Sequence, residues 1–141
     1  MWEVARDTGV LDLNTTYAYT LWAKEFAETS VVAEVEGKVV GFVTGFSRPS
    51  ESDTFFLWQV GVDADQRGKR LAARMVHAIL DRLEPGGVVR LRTTISPDNE
   101  ASQKLFGSVA RDRGKELVKE DYLSAADLGE GHEPEDLYTI A

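Results

Sequence analysis

The spacing of apolar positions changes along this chain, and each change marks an element. From Asn14, a residue suited to cap a helix, Tyr19, Trp22 and Phe26 recur at helical spacing with Leu21 between them, which predicts a helix over about 15–28. Thr8-Gly9 and Asn14-Thr15-Thr16 punctuate the stretch before it. Ser30 to Val35 is β-branched, Glu36-Gly37 is a two-residue turn signal, and Lys38 to Phe46 is β-branched and aromatic again, so a hairpin is expected. A loop over Arg48 to Asp53 leads into Thr54–Val62, a nearly continuous apolar run of the kind a central strand shows.

Beyond Asp63 the helical period returns. Leu71, Met75, Ile79 and Leu83 stand four apart within Arg67–Leu83, and Pro85-Gly86-Gly87 stops the run. Val88 to Ile95 reads as a strand. Ser96-Pro97 suits an N-cap with proline at the first helical position, and Ala101, Leu105 and Val109 share one face of a helix ending at Gly114. Two strands, Lys115 to Leu123 and Glu135 to Ile140, flank a loop over Ser124 to Pro134 that carries Gly129, Gly131 and His132. Strands and helices interleaved in this way predict an α/β fold.

Composition narrows the classes of function. With 141 residues, 43% of them hydrophobic, one domain over 1–141 is expected. The 24 acidic against 16 basic residues give a net charge of −8, which argues against nucleic acid and membrane surfaces as partners. The absence of cysteine excludes a disulfide scaffold, a thiolate zinc site and a cysteine nucleophile, and a cytoplasmic protein is the simplest reading. No apolar run approaches the ~20 residues of a spanning helix, and Met1 to Arg6 lacks a basic segment followed by an apolar one, so no targeting segment is expected.

The strongest local chemistry is Gln66-Arg67-Gly68-Lys69-Arg70-Leu71-Ala72, between a buried-type strand and a helix. Cations near a helix N-terminus oppose its dipole unless an anion sits there. A pyrophosphate cradle of backbone N–H groups, glycine and cations is one reading, and a solvated basic helix end that balances nearby acids is the other. Neither a P-loop nor a dinucleotide fingerprint is present, since no Ser or Thr follows Gly68-Lys69.

The order strand, V-x-x-x-x-R-G loop from Val62 to Gly68, helix, strand and then Asn99-Glu100-Ala101-Ser102-Gln103-Lys104-Leu105-Phe106 resembles the Gcn5-related N-acetyltransferase (GNAT) superfamily. That resemblance implies a mixed central sheet whose parallel central strands splay apart, with acetyl-CoA bound between them. It assigns cofactor contacts to Gln59, Val60 and Val62 on the opened strand, to Arg67, Gly68, Lys69, Arg70, Leu71 and Ala72 on the loop, and to Asn99 and Ser102 further on. Longer strings narrow the match: Arg6-Asp7-Thr8-Gly9-Val10-Leu11-Asp12-Leu13-Asn14 with Tyr17-Ala18-Tyr19, Gly41 to Phe46, Trp58-Gln59-Val60, and Gly131-His132-Glu133-Pro134-Glu135. These resemble one branch, the L-2,4-diaminobutyrate acetyltransferases of ectoine biosynthesis, which implies acetyl transfer to the 4-amino nitrogen, a homodimer and a role in osmoadaptation. The acidic composition suits a salt-stressed cytoplasm.

By the same resemblance Asp12, Tyr17, Trp58, His132 and Glu135 bind the substrate, and the chemistry agrees: two ammonium groups call for carboxylates and aromatic faces, one carboxylate for donors. Taken singly, Asp12 also reads as a turn cap, Tyr17 and Trp58 as core, and His132 to Glu135 as a solvated loop. Asp12 and His132 are expected to contribute to the grip on the α-carbon's charged groups. A primary amine with a pKa of roughly 10 must lose a proton before it attacks a thioester, so a base is required, with Glu135 the first candidate and Asp12 second. Backbone N–H around Val60 is expected to meet the developing oxyanion. No metal is expected, one imidazole beside carboxylates being a weak ligand set. Three departures from the family pattern stand out: Arg70 where a glycine is usual, Phe106 where many members carry a proton-donating tyrosine, and the absence of a first strand and of the opening of the first helix, so that either the chain is truncated or the numbering omits a segment. Other acceptors, such as a polyamine or lysine, and a non-catalytic CoA-binding module remain as alternatives.

Overall fold

Val31–Val35 (β1), Lys38–Arg48 (β2) and Glu51–Val62 (β3) form an antiparallel meander in the computed structural model, which describes residues 1–141. The turn between β2 and β3 is only Pro49-Ser50. Sequence punctuation predicts a loop to Asp53, but the Arg48–Glu51 ion pair at 2.6 Å closes the hairpin early. Arg90–Ile95 (β4) lies parallel to β3, and Leu117–Leu123 (β5) and Glu135–Ile140 (β6) complete a six-stranded mixed sheet in the order β1-β2-β3-β4-β6-β5.

Two helices, Leu71–Leu83 (α3) and Glu100–Asp112 (α4), pack on one face of the sheet. The α3 face buries Ala73, Val76, Ile79 and Leu80 against Val43, Phe55, Leu57 and Leu91 of the strands, with Phe106 and Val109 from α4. At about 1.5–3 kcal/mol for each large side chain fully removed from water, this face supplies most of the fold's hydrophobic stabilisation. The opposite face is covered only in part. Trp2–Thr8 (α1) and Thr16–Glu25 (α2) bring Val4, Ala5 and Tyr19 onto Phe42 of β2. That leaves the same face of β4 and β6 open.

Local differences from the sequence-based expectations have identifiable causes. The segment of α1 is too short to display a period, and it ends on Gly9 at φ 66, whose N–H returns to the Arg6 carbonyl. α3 starts at Leu71 rather than Arg67, because a 3₁₀ turn at Ala64–Gln66 and Gly68 and Arg70 at positive φ intervene. α4 is capped by Asn99, whose side chain accepts from Ser102 N–H at 3.0 Å, while Ser96 instead donates to Asp98. Ser124 forms a capping box with Asp127 and turns Ala125–Leu128 (α5) into a helix within the expected loop. No helix is long and apolar enough to cross a membrane.

Two features of β3 position the site. It pairs with β4 only from Thr54–Arg90 to Phe56–Arg92; beyond that the strands diverge, and the β4-facing edge of β3 has no ladder partner. It also bulges at Trp58, since Thr44 faces Gln59 while Gly45 faces Leu57. Phe55 and Leu57 therefore pack into the α3–α4 core, and so do Val60 and Val62, whereas Trp58 and Gln59 both reach residues on the α2 side. Gly45 opposite the bulge is obligatory: a Cβ there would lie 2.3 Å from the Phe55 ring and 2.5 Å from the Phe56 carbonyl oxygen.

Candidate active site

The divergence of β3 and β4 opens a cleft of about 890 Å³ that runs from the face left uncovered by α1 and α2 to the start of α4. Asp12, Trp58, His132 and Glu135 all line it, although they come from the α1–α2 loop, β3, the loop after α5 and β6. Gln59, Val60, Asn99 and Ser102 line it too. Tyr17 does not. It is 73% exposed on α2, because Tyr19, two residues on, turns to the sheet and carries Tyr17 round to solvent.

Each of these side chains is set by its element. Trp58 projects from the bulge and meets Trp22 of α2 at 4.6 Å between ring centroids, and Trp22 in turn stacks on Phe26 at 4.8 Å. Phe46 and Phe56 stack at 5.3 Å and form the adjoining aromatic wall. Gln59 is buried and works as a strap: its Nε2 donates to the Asp12 carbonyl at 3.0 Å, and its Oε1 accepts from the Tyr19 hydroxyl at 2.9 Å. The loop bearing Asp12 is thereby tied to the bulged strand.

Neighbouring carboxylates on β6 have different environments. Asp136 pairs with Lys119 at 2.7 Å, while Glu135 makes no ion pair. Burial pushes the Glu135 pKa upward; the nearby Thr94 side chain opposes that rise, and the negative charges of Asp12, Asp136 and Asp98 add to it. A partly desolvated carboxylate at the edge of an acidic cleft is well placed to receive an ammonium group or its proton. The His132 ring is exposed at the cleft rim. No group of three or more His, Cys, Asp and Glu side chains is arranged to hold a metal ion.

A second cavity of about 330 Å³ adjoins the start of α3, lined by Val62, Arg67, Gly68, Arg70, Leu71 and Ala72 together with residues of α4. The residues fit a pyrophosphate. No side chain caps α3 and no acid occupies its first turn, so its leading N–H groups are available to an anion. Gly68, at φ 78, has nothing within 4 Å of where a Cβ would be. Lys69 lies outside the cavity lining and donates to Gln66 at 3.1 Å. Arg70 adopts φ 56 despite its Cβ, and its guanidinium crosses to α4, donating to Ser108 at 3.0 Å and to Asp112. It bridges α3 and α4 while still lining the cavity. Phe106 is 1% exposed and presents a ring without a hydroxyl to the cleft.

Sequence reasoning passed over two cleft residues, Arg48 and Arg92. The signal for Arg92 was present in the alternation Arg90-Leu91-Arg92-Thr93-Thr94-Ile95, in which the second, fourth and sixth positions are buried. Arg48 carried none, since it reads as part of a polar loop.

Known proteins share this fold. The model of the acetyltransferase (GNAT) family matches residues 2–109. The L-2,4-diaminobutyric acid acetyltransferase of Nocardia farcinica is 49% identical over 141 residues, spanning 100% of this chain and 73% of the relative. That of Streptomyces coelicolor is 50% identical over 143 residues, spanning 99% and 84%. Among solved structures, diaminobutyrate acetyltransferase EctA from Paenibacillus lautus, in complex with its substrate L-2,4-diaminobutyric acid and coenzyme A, superposes with a TM-score of 0.94 at 37% identity, over 99% of this chain and 86% of that one. Ard1 from Thermoplasma volcanium, at 18% identity and a TM-score of 0.72, shares the fold. By its family model, its relatives and its architecture, the chain belongs to the GNAT acetyltransferases and, within them, to the L-2,4-diaminobutyric acid acetyltransferases.

Proposed function

We propose that this chain transfers the acetyl group of acetyl-CoA to the 4-amino nitrogen of L-2,4-diaminobutyrate, a step towards ectoine, with residues 1–141 acting as one catalytic unit. The observation that carries the reading is the likeness, over 99% of this chain, to an enzyme solved with both diaminobutyrate and coenzyme A. The cleft itself supports it. Asp12, Asp98, Glu133 and Glu135 line it on the acidic side, and aromatic rings wall it, which suits a short dication.

Acetyl-CoA supplies the activated thioester. In this reading the N-terminus of α3, with Arg67, Gly68 and Lys69, receives the pyrophosphate, and Arg70 braces α3 against α4. Leu71 and Ala72 contribute leading N–H groups of the helix. The unpartnered edge of β3 at Gln59, Val60 and Val62 receives the pantetheine, Asn99 and Ser102 border the same path, and backbone N–H near Val60 offers a donor to developing negative charge. Glu135 takes a proton from the 4-ammonium, directly or through water, and Asp12 orients it. Trp58 and His132 border the amino acid. Tyr17 belongs to the reading only if α2 or a second copy brings it to the cleft. A homodimer and a cytoplasmic location complete the proposal; both rest on family likeness, and sedimentation velocity measures the first.

The test is thiol release on mixing acetyl-CoA with an amine panel, with the product identified by NMR. Acetate on the 4-nitrogen is expected, and ornithine and lysine should lose kcat/KM steeply, since about 1 Å of misplacement costs on the order of 10² in rate. Acetylation of the α-nitrogen, or putrescine outcompeting diaminobutyrate, overturns the substrate assignment.

A further inference from the structure

We infer that Arg48 and Arg92 form a carboxylate anchor at the closed end of the cleft, and that this anchor makes the enzyme select an amino acid over a plain diamine. The inference rests on the function proposed above and adds residues to it.

Arg48 and Arg92 are the only arginine or lysine side chains that line the cleft. Both reach Glu51, Arg48 at 2.6 Å and Arg92 at 3.3 Å, so two guanidinium groups share one carboxylate and one positive charge is left over. The neighbouring Arg90 is paired separately with Asp53 at 3.3 Å and leaves that excess untouched. Arg92 Nε is also buried with no hydrogen-bond partner. A buried N–H on a charged group costs free energy until an acceptor arrives, and a carboxylate is the acceptor whose shape matches a guanidinium fork. The cleft is therefore bipolar. Its acidic side chains suit ammonium groups, and this cationic end has no counterpart for a diamine to use.

Anchor and base line the same cleft. Arg92 and Thr94 are two apart on β4 and share a face, which places their Cα atoms about 7 Å apart. Thr94 stands beside Glu135. With the carboxylate on the arginines, the side-chain amine comes to Glu135 and the α-nitrogen is held back at the anchored carbon. Phe56, the β3 partner of Arg92, flanks that path.

The experiment compares L-2,4-diaminobutyrate with 1,3-diaminopropane, the same molecule without its carboxylate, in the wild type, Arg92→Gln, Arg48→Gln and Arg92→Lys. In the glutamine variants kcat/KM for diaminobutyrate should fall roughly 10- to 100-fold, mainly through KM, and that for the diamine should change less than about threefold. Arg92→Lys should restore part of the loss. The ratio of the two substrates within one preparation cancels any loss of folded enzyme. Equal losses for both substrates, or a preference that survives both glutamine substitutions, overturn the anchor while the function stands. A wild type that transfers no acetyl to diaminobutyrate overturns both.

Discussion

Glu135 is the base of the proposed reaction, and its environment sets its pH behaviour. A base must be deprotonated to work, and burial raises the Glu135 pKa, so the acid limb of kcat/KM should lie above the ordinary carboxylate range. Glu135→Gln removes the proposed base and is expected to lower kcat about 10²- to 10⁴-fold and to abolish that limb. Asp12→Asn removes a negative neighbour that holds the proton on Glu135, so the limb should move to lower pH whatever happens to its height. A pH profile of both variants checks this, and a limb that stays in place in Glu135→Gln assigns the proton to another group. At this scale the sequence was informative where a residue's type carries its role. Asp12, Trp58, His132 and Glu135 could be named from motif strings, and the fold gathers them around one cleft. Tyr17 shows the limit, because rotation about α2 decides where it points and Tyr19 holds the buried side.

The bulged strand β3 and its strap Gln59 organise the site at the level of elements. Gln59→Leu keeps a similar bulk but leaves the buried Tyr19 hydroxyl without its acceptor and removes the Gln59 tie to the Asp12 carbonyl, which keeps only its bond from Asn14. An unsatisfied buried group costs about 1–3 kcal/mol, so the melting temperature should drop by several degrees. The loop bearing Asp12 is also released, and KM for the amine is expected to rise more than KM for acetyl-CoA. Steady-state kinetics on both substrates checks this; equal rises confine the strap to stability. The apolar run Thr54–Val62 made a central strand legible. The bulge was not, because an inserted residue in an apolar run looks like any other until its partner strand fixes the register. Arg92 was hidden for a related reason. Alternation shows that one set of side chains is buried, but only the placement of α1 and α2 shows that the other set faces a cleft.

Across the whole molecule a net charge of −8 coexists with a cationic loop at the start of α3, where the proposed function places the pyrophosphate. Arg67→Glu combined with Lys69→Glu should raise KM for acetyl-CoA about tenfold or more and flatten its dependence on salt, because the attraction that salt screens is gone. Titration of KM between low and high ionic strength measures both effects, and an unchanged slope removes the loop from cofactor binding. What the sequence by itself determined was the succession of the six strands and of α2, α3 and α4, the cationic turn before α3 and the motif strings of the family. Period, capping and turn chemistry act between residues a few positions apart, so they are written locally. Only the tertiary structure decided that β3 and β4 part after Phe56 and Arg92, that the bulge turns Trp58 and Gln59 to one face, and that Arg48, Glu51 and Arg92 meet at the closed end of the cleft. Those outcomes depend on which distant segments pair and in what register, and no local run of residues carries the energy difference between one pairing and the next.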